Sequence, residues 1–201
     1  METDLGSLDE IFGALLRDKI IFINEEITVD VATAVNAALI YFDNIPVKKG
    51  KDIVTIYLNS PGGEVNAALF PILTSMDLLK AKYKIKTVCT GECYSAAAVL
   101  LSNGTKGMRF AYPLSKVLIH DVQIENMSGS FGDIQKQLKE VKGLNDSLMD
   151  ILANNSGQSI KQIKKDCHRE TIFSANEAIS YGLVDKIVQP EKSEKCKHKT
   201  Q

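Results

Sequence analysis

Residues 91–101 read GECYSAAAVLL and decide how the rest of the chain is arranged. The apolar run before Gly91 predicts a buried strand, and the small residues after Ser95 predict a helix. Ser95 is therefore expected at a strand-to-helix turn, beside backbone N–H groups that have no partner within the helix. A hydroxyl in that place suits a nucleophile, because these groups and the positive end of the helix stabilise an oxyanion. The alternative is a serine that only caps the helix.

The composition predicts a single soluble domain. Of the 201 residues 44% are apolar, enough to bury one core, and nothing in the length requires a second domain. A net charge of -1 argues against nucleic-acid binding, and no apolar run approaches the roughly 20 residues of a membrane helix. The four cysteines lack zinc-pair spacing and the first residues are acidic without an apolar signal core. We therefore expect a cytoplasmic protein with neither a metal nor another cofactor.

Apolar strand-like runs alternate with helical patterns, which predicts an α/β fold. Residues 19–24 (KIIFIN) and 52–59 (DIVTIYLN) read as buried strands, and Asp30 is expected to cap the helix between them. The second strand runs into residues 60–63 (SPGG), whose two glycines predict a tight turn with exposed backbone N–H groups. Pro71 should delay or kink the helix that follows, because proline lacks an N–H group.

A long amphipathic helix is predicted from Asp133 to about Asn154. About 22 residues at 1.5 Å each give roughly 33 Å, which is more than a domain of this size covers by itself. The helix is therefore expected to protrude and to pack on a partner subunit. Its apolar face consists of Ile134, Leu138, Val141, Leu144, Leu148 and Ile151.

The segments after this helix complete the domain. Ser159 and Ser174 begin SxxQ and SxxE sequences with the form of capping boxes, so a short helix should start at each of them. A last strand is predicted over residues 183–188. We expect residues 1–10 to form a flexible segment, residues 11–188 one folded domain and the Lys-rich residues 189–201 a disordered tail.

A serine nucleophile needs a base, and the chain contains three histidines. His120 ends the apolar run KVLIH, a predicted buried strand, on the side of the sheet where α/β proteins collect their active-site loops. His168 falls on a polar helix face and His198 in the tail, so His120 is the candidate base, with a structural role in the core as the alternative. A carboxylate must orient the imidazole. Spacing does not choose among three acids: Asp121, Asp166 and Glu170.

Four stretches resemble the ClpP family, the proteolytic subunits of Clp proteases, in the same order and at nearly the same separations. They read NSPGGEV (59–65), GECYSAAAVLL (91–101), KGMRFAYPLSKVLIH (106–120) and RETIFSANEAISYGLVDKIV (169–188). The resemblance extends over residues 11–188 and implies the crotonase-like ClpP fold, an α/β domain with a protruding handle helix at residues 133–154. It also implies a tetradecamer, in which two heptameric rings stack through that helix around a hollow chamber.

The resemblance implies a site as well. Ser95 and His120 match the family's nucleophile and base, and the N–H groups of Gly63 and Ala96 match its oxyanion hole. Glu170 stands in place of the family's catalytic aspartate, is one methylene longer and is taken as the third member of the triad. A surface pocket that docks an AAA+ unfoldase of the ClpX or ClpA type is expected near three further matching positions: Tyr57, Phe110 and Leu183.

Three functions are compatible with the sequence. The first is a serine endopeptidase that hydrolyses unfolded polypeptides inside the chamber. The second is a weakly active or inactive subunit with a structural role in a mixed barrel; Glu170 favours it, as does the loss of the family's paired glycines at residues 124–127 (IENM). The third is a crotonase-type enzyme acting on acyl-CoA thioesters, against which the ClpP-like order of Ser95 and His120 argues.

Overall fold

The computed structural model describes residues 7–47, 50, 52–124 and 126–189. In this part of the chain the helices are α1 (Leu8–Arg17), α2 (Val29–Asn44), α3 (Phe70–Leu79), α4 (Ala96–Ser102), α5 (Phe131–Ser156), α6 (Ile160–His168) and α7 (Ala175–Tyr181). The strands are β1 (Ile20–Ile23), β2 (Ile53–Ser60), β3 (Lys84–Tyr94), β4 (Arg109–Ala111), β5 (Lys116–Ile119), β6 (Thr171–Ser174) and β7 (Lys186–Ile187). A single π-helical turn, Val65–Leu69, leads into α3.

A mixed sheet with mostly parallel strands forms the centre of the domain. Its main path is β1-β2-β3-β4-β7, in which every neighbouring pair is parallel. β5 pairs in parallel with the last part of β3, and β6 joins β5 antiparallel. Alternate residues of β2 are buried in one apolar core with Leu39 and Phe42 of α2 and Met76 of α3. The predicted α/β class is therefore confirmed.

Strand β3 changes partner along its length because of a bulge. Between Leu58 and Ser60 the register advances two residues on β2 but four on β3. The side-chain oxygen of Asn59 accepts a hydrogen bond from the Glu92 N–H at 3.0 Å, and a Cβ at Gly91 would lie 2.4 Å from that oxygen. β3 pairs with β4 before the bulge and with β5 after it. The bulge thus brings the end of β5 next to the end of β3.

The first turns of α2 and α3 can be compared with the helix starts that the sequence predicts. α2 is capped by Thr28, whose hydroxyl oxygen accepts from the Val31 N–H at 3.3 Å, so the prediction of Asp30 as the cap is wrong. Asp30 lies in the first turn, where its negative charge favours the helix. α3 begins at Phe70 with Pro71 in its first turn, the place where a residue without an N–H group is tolerated.

The two ends of the chain bear on the predicted domain boundaries. The first turn of α1 is capped by Ser7, which exchanges hydrogen bonds with Glu10. Residues 8–10 of the expected flexible segment, 1–10, therefore belong to a helix. The capping box satisfies the first N–H groups of that helix. Residues 1–6 and most of the predicted tail, 190–201, lie outside the described residues. In the part of the chain that is described, no helix is long and apolar enough to cross a membrane.

Helix α5 is 26 residues long, about 39 Å at 1.5 Å per residue. It begins at Phe131, two residues before the predicted start, and ends at Ser156, which is followed by Gly157 in a left-handed conformation. Its buried apolar residues come from the C-terminal half and include Leu148 and Leu152. Phe131 is 78% exposed and Leu138 is 50% exposed. The first half of α5 therefore extends beyond the core, as the sequence predicts for a handle.

A buried ion pair joins distant parts of the domain. The guanidinium of Arg109, a residue that is 1% exposed, donates to both carboxylate oxygens of Asp185, at 3.0 Å and 2.7 Å. It also donates to the carbonyl oxygen of Asn155 in α5 at 2.8 Å. Burial raises the pKa of the Asp185 carboxyl, but hydrogen bonds from Arg109 and Gly107 outweigh burial and hold this pKa below its usual value.

We expect Asp185→Asn to lower the free energy of unfolding by about 3–5 kcal/mol, because it leaves the Arg109 charge buried without its partner. Since the folded-state pKa of Asp185 is depressed, its contribution is present above the unfolded-state pKa of about 4 and is lost as the pH falls through the folded-state pKa. Urea titrations at a series of acidic pH values should show a smaller loss in Asp185→Asn than in the wild type, because the other carboxylates with lowered pKa values, Asp133, Asp146 and Glu177, titrate in both proteins. The control, Asp52→Asn, breaks an exposed pair with Lys84 at 3.7 Å and should cost less than about 1 kcal/mol. Equal costs in both variants would contradict the importance of burial.

Candidate active site

Ser95 lies on a strained turn between β3 and α4. Its backbone has φ 54° and ψ -122°, a conformation that residues other than glycine rarely adopt and that costs about 1–3 kcal/mol. The Ser95 N–H donates to the carbonyl oxygen of Leu118 in β5 at 2.9 Å, which holds the turn against that strand. The side chain makes no capping hydrogen bond to α4. The predicted strand-to-helix turn is thus present, and the alternative of a simple helix cap is not supported.

The glycine turn after β2 packs directly against Ser95. Gly62 and Gly63 have φ angles of 109° and 148°, in the region that favours glycine. A Cβ at Gly62 would lie 2.7 Å from the Cβ of Ser95, and one at Gly63 would lie 2.4 Å from the carbonyl oxygen of Ile27. The Ile27 N–H donates to the Gly62 oxygen at 2.7 Å, and the Ile27 oxygen accepts from the Glu64 N–H at 3.0 Å. Ile27 therefore fixes the turn, a role that no signal in the sequence marks.

Two backbone N–H groups near Ser95 are available to a ligand. Ala96 is the first residue of α4, so its N–H has no partner within the helix. The N–H of Gly63 donates no hydrogen bond to any described residue. A Cβ on Gly62 would lie 3.2 Å from the backbone nitrogen of Ala96, so the glycine turn closely approaches the start of the helix. Gly63 and Ala96 thus stay the candidates for an oxyanion hole.

Ser95, His120 and Gly63 line one cavity of about 560 Å³. This volume is within the range of ligand-binding cavities in proteins. Two acidic residues, Glu26 and Glu64, also line the cavity. Its apolar lining comes from the end of β5, from the π-helical turn before α3 and from α4 and α5, and it includes Ile119, Val65, Val99, Leu148, Met149 and Leu152.

His120 follows β5 directly and is half-buried. Its ring makes no hydrogen bond to Ser95, to Glu170 or to any other described residue. Catalytic hydrogen bonds are often long or misaligned in enzymes without substrate and tighten only when substrate binds. The structure thus brings the candidate nucleophile and base to one cavity without joining them.

Glu170 lies beside His120 in the backbone register. β5 and β6 pair antiparallel as far as Ile119 opposite Thr171, so His120 and Glu170 are the next residues beyond the end of the ladder. Residues in such positions have Cβ atoms about 4.5–5.5 Å apart where the ladder continues. The ladder ends here, since Glu170 has φ 52° and falls before the first residue of β6. Its side chain is exposed and has no hydrogen bond to a described residue.

The other two candidate acids are occupied elsewhere. Asp166 accepts hydrogen bonds from the Tyr181 hydroxyl and from the Gln162 side chain, both at 2.7 Å. Asp121 accepts from the Asn145 side chain at 3.1 Å and lies 3.1 Å from a ring nitrogen of His168. Of the three acids, only Glu170 has a carboxylate free of hydrogen bonds within the described chain. Register and availability therefore both favour Glu170 as the third member of a triad.

The same cavity contains a thiol, which is a second candidate for the nucleophile beside Ser95. Cys167 lines the cavity and is 2% exposed. Burial, together with the charges of Asp121 and Asp166, raises the pKa of the Cys167 thiol to about 12. The thiol is therefore protonated at neutral pH and is a poor nucleophile. The described residues contain no group of three or more His, Cys, Asp or Glu side chains that could hold a metal ion.

The three residues expected at an unfoldase-docking pocket do not share one surface. Tyr57 of β2 and Phe110 of β4 are half-buried and lie in one lateral row of the sheet, with Val88 of β3 between them. Phe22 of β1 extends this row and stacks on Tyr57, with ring centroids 5.0 Å apart. Leu183 is fully buried, because the chain turns back into the core after α7. Leu183 is therefore removed from the predicted pocket, and Phe22 is a better third member.

Comparisons with known proteins place the chain in a family. A family profile described as Clp protease matches residues 4–191. The chain is also similar to the ATP-dependent Clp protease proteolytic subunit of Porphyromonas gingivalis (strain ATCC BAA-308 / W83), with 38% identity over 180 residues, which are 90% of this chain and 78% of that protein. The chain therefore belongs to the Clp protease family, and the resemblance inferred from its sequence is confirmed. Membership in a family of proteases argues against the acyl-CoA alternative.

Proposed function

We propose that this chain is the proteolytic subunit of an ATP-dependent Clp protease and acts as a serine endopeptidase on unfolded polypeptides. The observation that carries the proposal is the turn at Ser95, where φ is 54° and an uncapped hydroxyl lies in the same cavity as His120 and Gly63. A strained serine between a strand and a helix is the arrangement that presents the nucleophile in α/β-hydrolases. Family membership supports the same conclusion.

The mechanism assigns one step to each group. The Ser95 oxygen attacks the carbonyl carbon of the peptide bond, and His120 takes the hydroxyl proton and passes it to the leaving amine. The Glu170 carboxylate accepts a hydrogen bond from the other imidazole nitrogen, which fixes the tautomer. The N–H groups of Gly63 and Ala96 stabilise the oxyanion. Water then hydrolyses the acyl-enzyme with His120 as the base.

An extended peptide would add as a strand beside the residues that follow His120. Val122 and Gln123 of this segment line the cavity, and neither belongs to the sheet ladder. Main-chain hydrogen bonds of an added strand do not depend on side chains, so chains of varied sequence can bind. A folded protein does not offer such an extended segment, and unfolded polypeptides are therefore the proposed substrates.

Digestion of one protein in two states tests this function. Reduced and carboxymethylated α-lactalbumin should be cut at internal peptide bonds, whereas native, disulfide-bonded α-lactalbumin should stay intact. Mass spectrometry of the products separates internal cleavage from the removal of single terminal residues. Equal digestion of both states, or trimming from one end only, would contradict the proposal.

The proposed chamber depends on contacts of α5 with other subunits. We expect heptameric rings, stacked in pairs as a homo-tetradecamer or mixed with a ClpP paralogue in a hetero-oligomer. Leu138 is half exposed on the part of α5 that leaves the core, so its apolar surface is available to a second ring.

Light scattering at micromolar concentration should give the mass of a ring or of a stacked pair of rings. Leu138→Lys should shift the distribution from stacked pairs toward single rings, because it places a charge in the apolar contact between rings. Gln135→Lys adds the same charge to an exposed polar position of α5 and should leave the distribution unchanged. A wild-type protein that is only monomeric would contradict the proposed assembly.

An AAA+ unfoldase of the ClpX or ClpA type is the proposed partner, docked on the aromatic row formed by Phe22, Tyr57 and Phe110. Tyr57→Ala should abolish ATP-dependent degradation of a folded substrate by removing the centre of this row, while hydrolysis of short peptides stays within about twofold of wild type. Tyr41→Ala removes an exposed tyrosine from α2 and should retain both activities. Normal ATP-dependent degradation by Tyr57→Ala would contradict this docking site.

The cytoplasm is the proposed location. The three cysteines in the described part of the chain, Cys89, Cys93 and Cys167, are free thiols. Structural disulfides are rare in reducing compartments, so buried free thiols agree with that location.

A weakly active or inactive subunit of a mixed barrel is the second candidate. The specific observation in its favour is that no hydrogen bond joins Ser95, His120 and Glu170 within the described chain. In that case a ClpP paralogue would supply the competent active sites. Peptide hydrolysis by the purified homo-oligomer separates the two candidates, since the second predicts activity only after the paralogue is added.

A further inference from the structure

A cluster of polar groups holds the chain immediately after His120. The Asp121 N–H donates to the carbonyl oxygen of Cys167 at 3.2 Å, and the Val122 N–H donates to the side-chain oxygen of Asn145 at 2.9 Å. The Asn145 amide nitrogen donates in turn to Asp121 at 3.1 Å. Two consecutive backbone N–H groups after the candidate base are thus bound to α5 and to the end of α6.

Asn145 is the specific part of this cluster. Its side chain uses both its oxygen and its nitrogen on neighbouring residues of the same segment, which fixes that segment in two directions. The other contact to Asp121 comes from His168, whose side chain is 84% exposed, and a pair so exposed contributes little. The Cys167 oxygen also accepts from the Glu170 N–H at 3.0 Å, so it links the segment to the candidate acid.

Asn145 lies in α5 just before the buried residues of that helix, so its contact connects the handle helix to the segment after His120. The fully buried residues of α5 start at Leu148, and no residue of the helix before Asn145 is fully buried. His120 is held on one side by the β5–β6 ladder, which ends at Ile119, and on the other side by this cluster. Its ring has no hydrogen bond of its own to a described residue. The backbone of His120, which sets the direction of its Cα–Cβ bond, is therefore held from both sides.

We propose that Asn145 is a positioning residue for the base His120: it holds the Asp121–Val122 backbone from the handle helix, so that the imidazole points at Ser95. The inference rests on the proposed serine-peptidase function. It adds a residue of α5 that touches neither substrate nor the reacting atoms. Through Asn145, the position of the handle helix α5 affects the position of the base His120.

Asn145→Ala should lower kcat for a fluorogenic peptide roughly 10- to 100-fold, the cost of misplacing a catalytic group by about 1 Å. The rate of labelling of Ser95 by a fluorophosphonate should fall by a similar factor. This probe reacts through Ser95 and His120 and does not need the segment that binds peptide. KM is expected to rise as well, because Val122 belongs to the segment proposed to bind peptide, so the fall in kcat and in the labelling rate is the readout that reports on the base.

The matched control is Asn154→Ala, the same substitution in the same helix. Asn154 is exposed and has no hydrogen bond from its side chain to a described residue, so kcat and the labelling rate should equal those of wild type. If Asn145→Ala does not fold, a double variant that exchanges the side chains of positions 121 and 145, the paired exchange, tests the same contact. Asn145→Asp alone puts two carboxylates together and should be slow, while Asn145→Asp combined with Asp121→Asn again provides one amide and one carboxylate and should recover most of kcat.

Three results would overturn the inference while leaving the proposed function intact. One is wild-type kcat and labelling in Asn145→Ala. The second is a rise in KM alone, which would assign Asn145 to the peptide-binding segment. The third is a paired exchange no faster than Asn145→Asp alone. A wild-type enzyme that the probe does not label would instead contradict the proposed function itself.

Discussion

Ser95→Ala should reduce peptide hydrolysis by roughly 10⁶-fold, to the background rate, because removal of the nucleophile from a triad disables the other members as well. Alanine has a Cβ like serine and adopts the φ of 54° at a similar cost, so the fold should be unchanged. Initial rates with a fluorogenic peptide, together with circular dichroism and light scattering, measure activity and assembly on the same samples.

Ser180→Ala is the matched control, since Ser180 is exposed on α7 and lies outside the cavity. It should retain wild-type rates. Residual activity above about 1% in Ser95→Ala would point to a different nucleophile, because nucleophile loss in a triad costs several further orders of magnitude. Cys167 would then be the first residue to test, because its thiol lines the same cavity.

Glu170→Gln should reduce kcat by about 10⁴-fold, the cost of replacing the carboxylate of a triad by an amide, which favours the wrong imidazole tautomer. Asp166→Asn serves as the control among the acids. Asp166 is bonded to Tyr181 and Gln162, so its substitution should affect stability more than catalysis. The measurement is kcat at saturating peptide for each variant.

Glu170→Asp should retain or raise activity, because position 170 and His120 both lie immediately beyond the end of the β5–β6 ladder and the family resemblance favours the shorter acid there. If Glu170→Gln stays within about threefold of wild type, equivalent to ~0.7 kcal/mol in the barrier, Glu170 is not the third residue. With Ser95→Ala inactive, that outcome would keep the nucleophile and reassign the acid to Asp121 or Asp166.

The surroundings of Ser95 were predictable from the sequence because they depend on local patterns. An apolar run that meets Gly91 and a small-residue run after Ser95 indicate a strand, a turn and a helix without knowledge of distant contacts. The strained φ of 54° does not follow from these patterns. It depends on Gly62, whose lack of a side chain lets the turn after β2 approach the Ser95 Cβ.

The choice among the acids could not be made from the sequence, because it depends on the register between two strands. β5 and β6 are about fifty residues apart, and only their antiparallel pairing brings Glu170 and His120 to the same end of the ladder. The link from Asn145 to the segment after His120 is hidden for the same reason: a helical asparagine has the same local pattern whether its side chain meets solvent or a backbone N–H.

The structure differs from the sequence prediction at two positions. Leu183 is buried and not at the surface, and Asp30 is not the cap of α2. A leucine after a left-handed glycine has the same sequence pattern whether the chain turns outward or inward, and here it is fully buried. Thr28 and Asp30 are both residue types that cap helices, so residue type alone does not identify the cap. The hydroxyl of Thr28 takes the position because it reaches the Val31 N–H.

The most direct test of the central claim is the site of labelling by a fluorophosphonate, a probe that forms a covalent bond with an activated serine. Tandem mass spectrometry of the labelled, digested wild-type protein should locate the adduct on Ser95, and His120→Ala should carry none. An assembled wild-type protein that is not labelled, or one that cleaves peptides while the adduct lies on another residue, would contradict the assignment of Ser95 as the nucleophile of a serine peptidase.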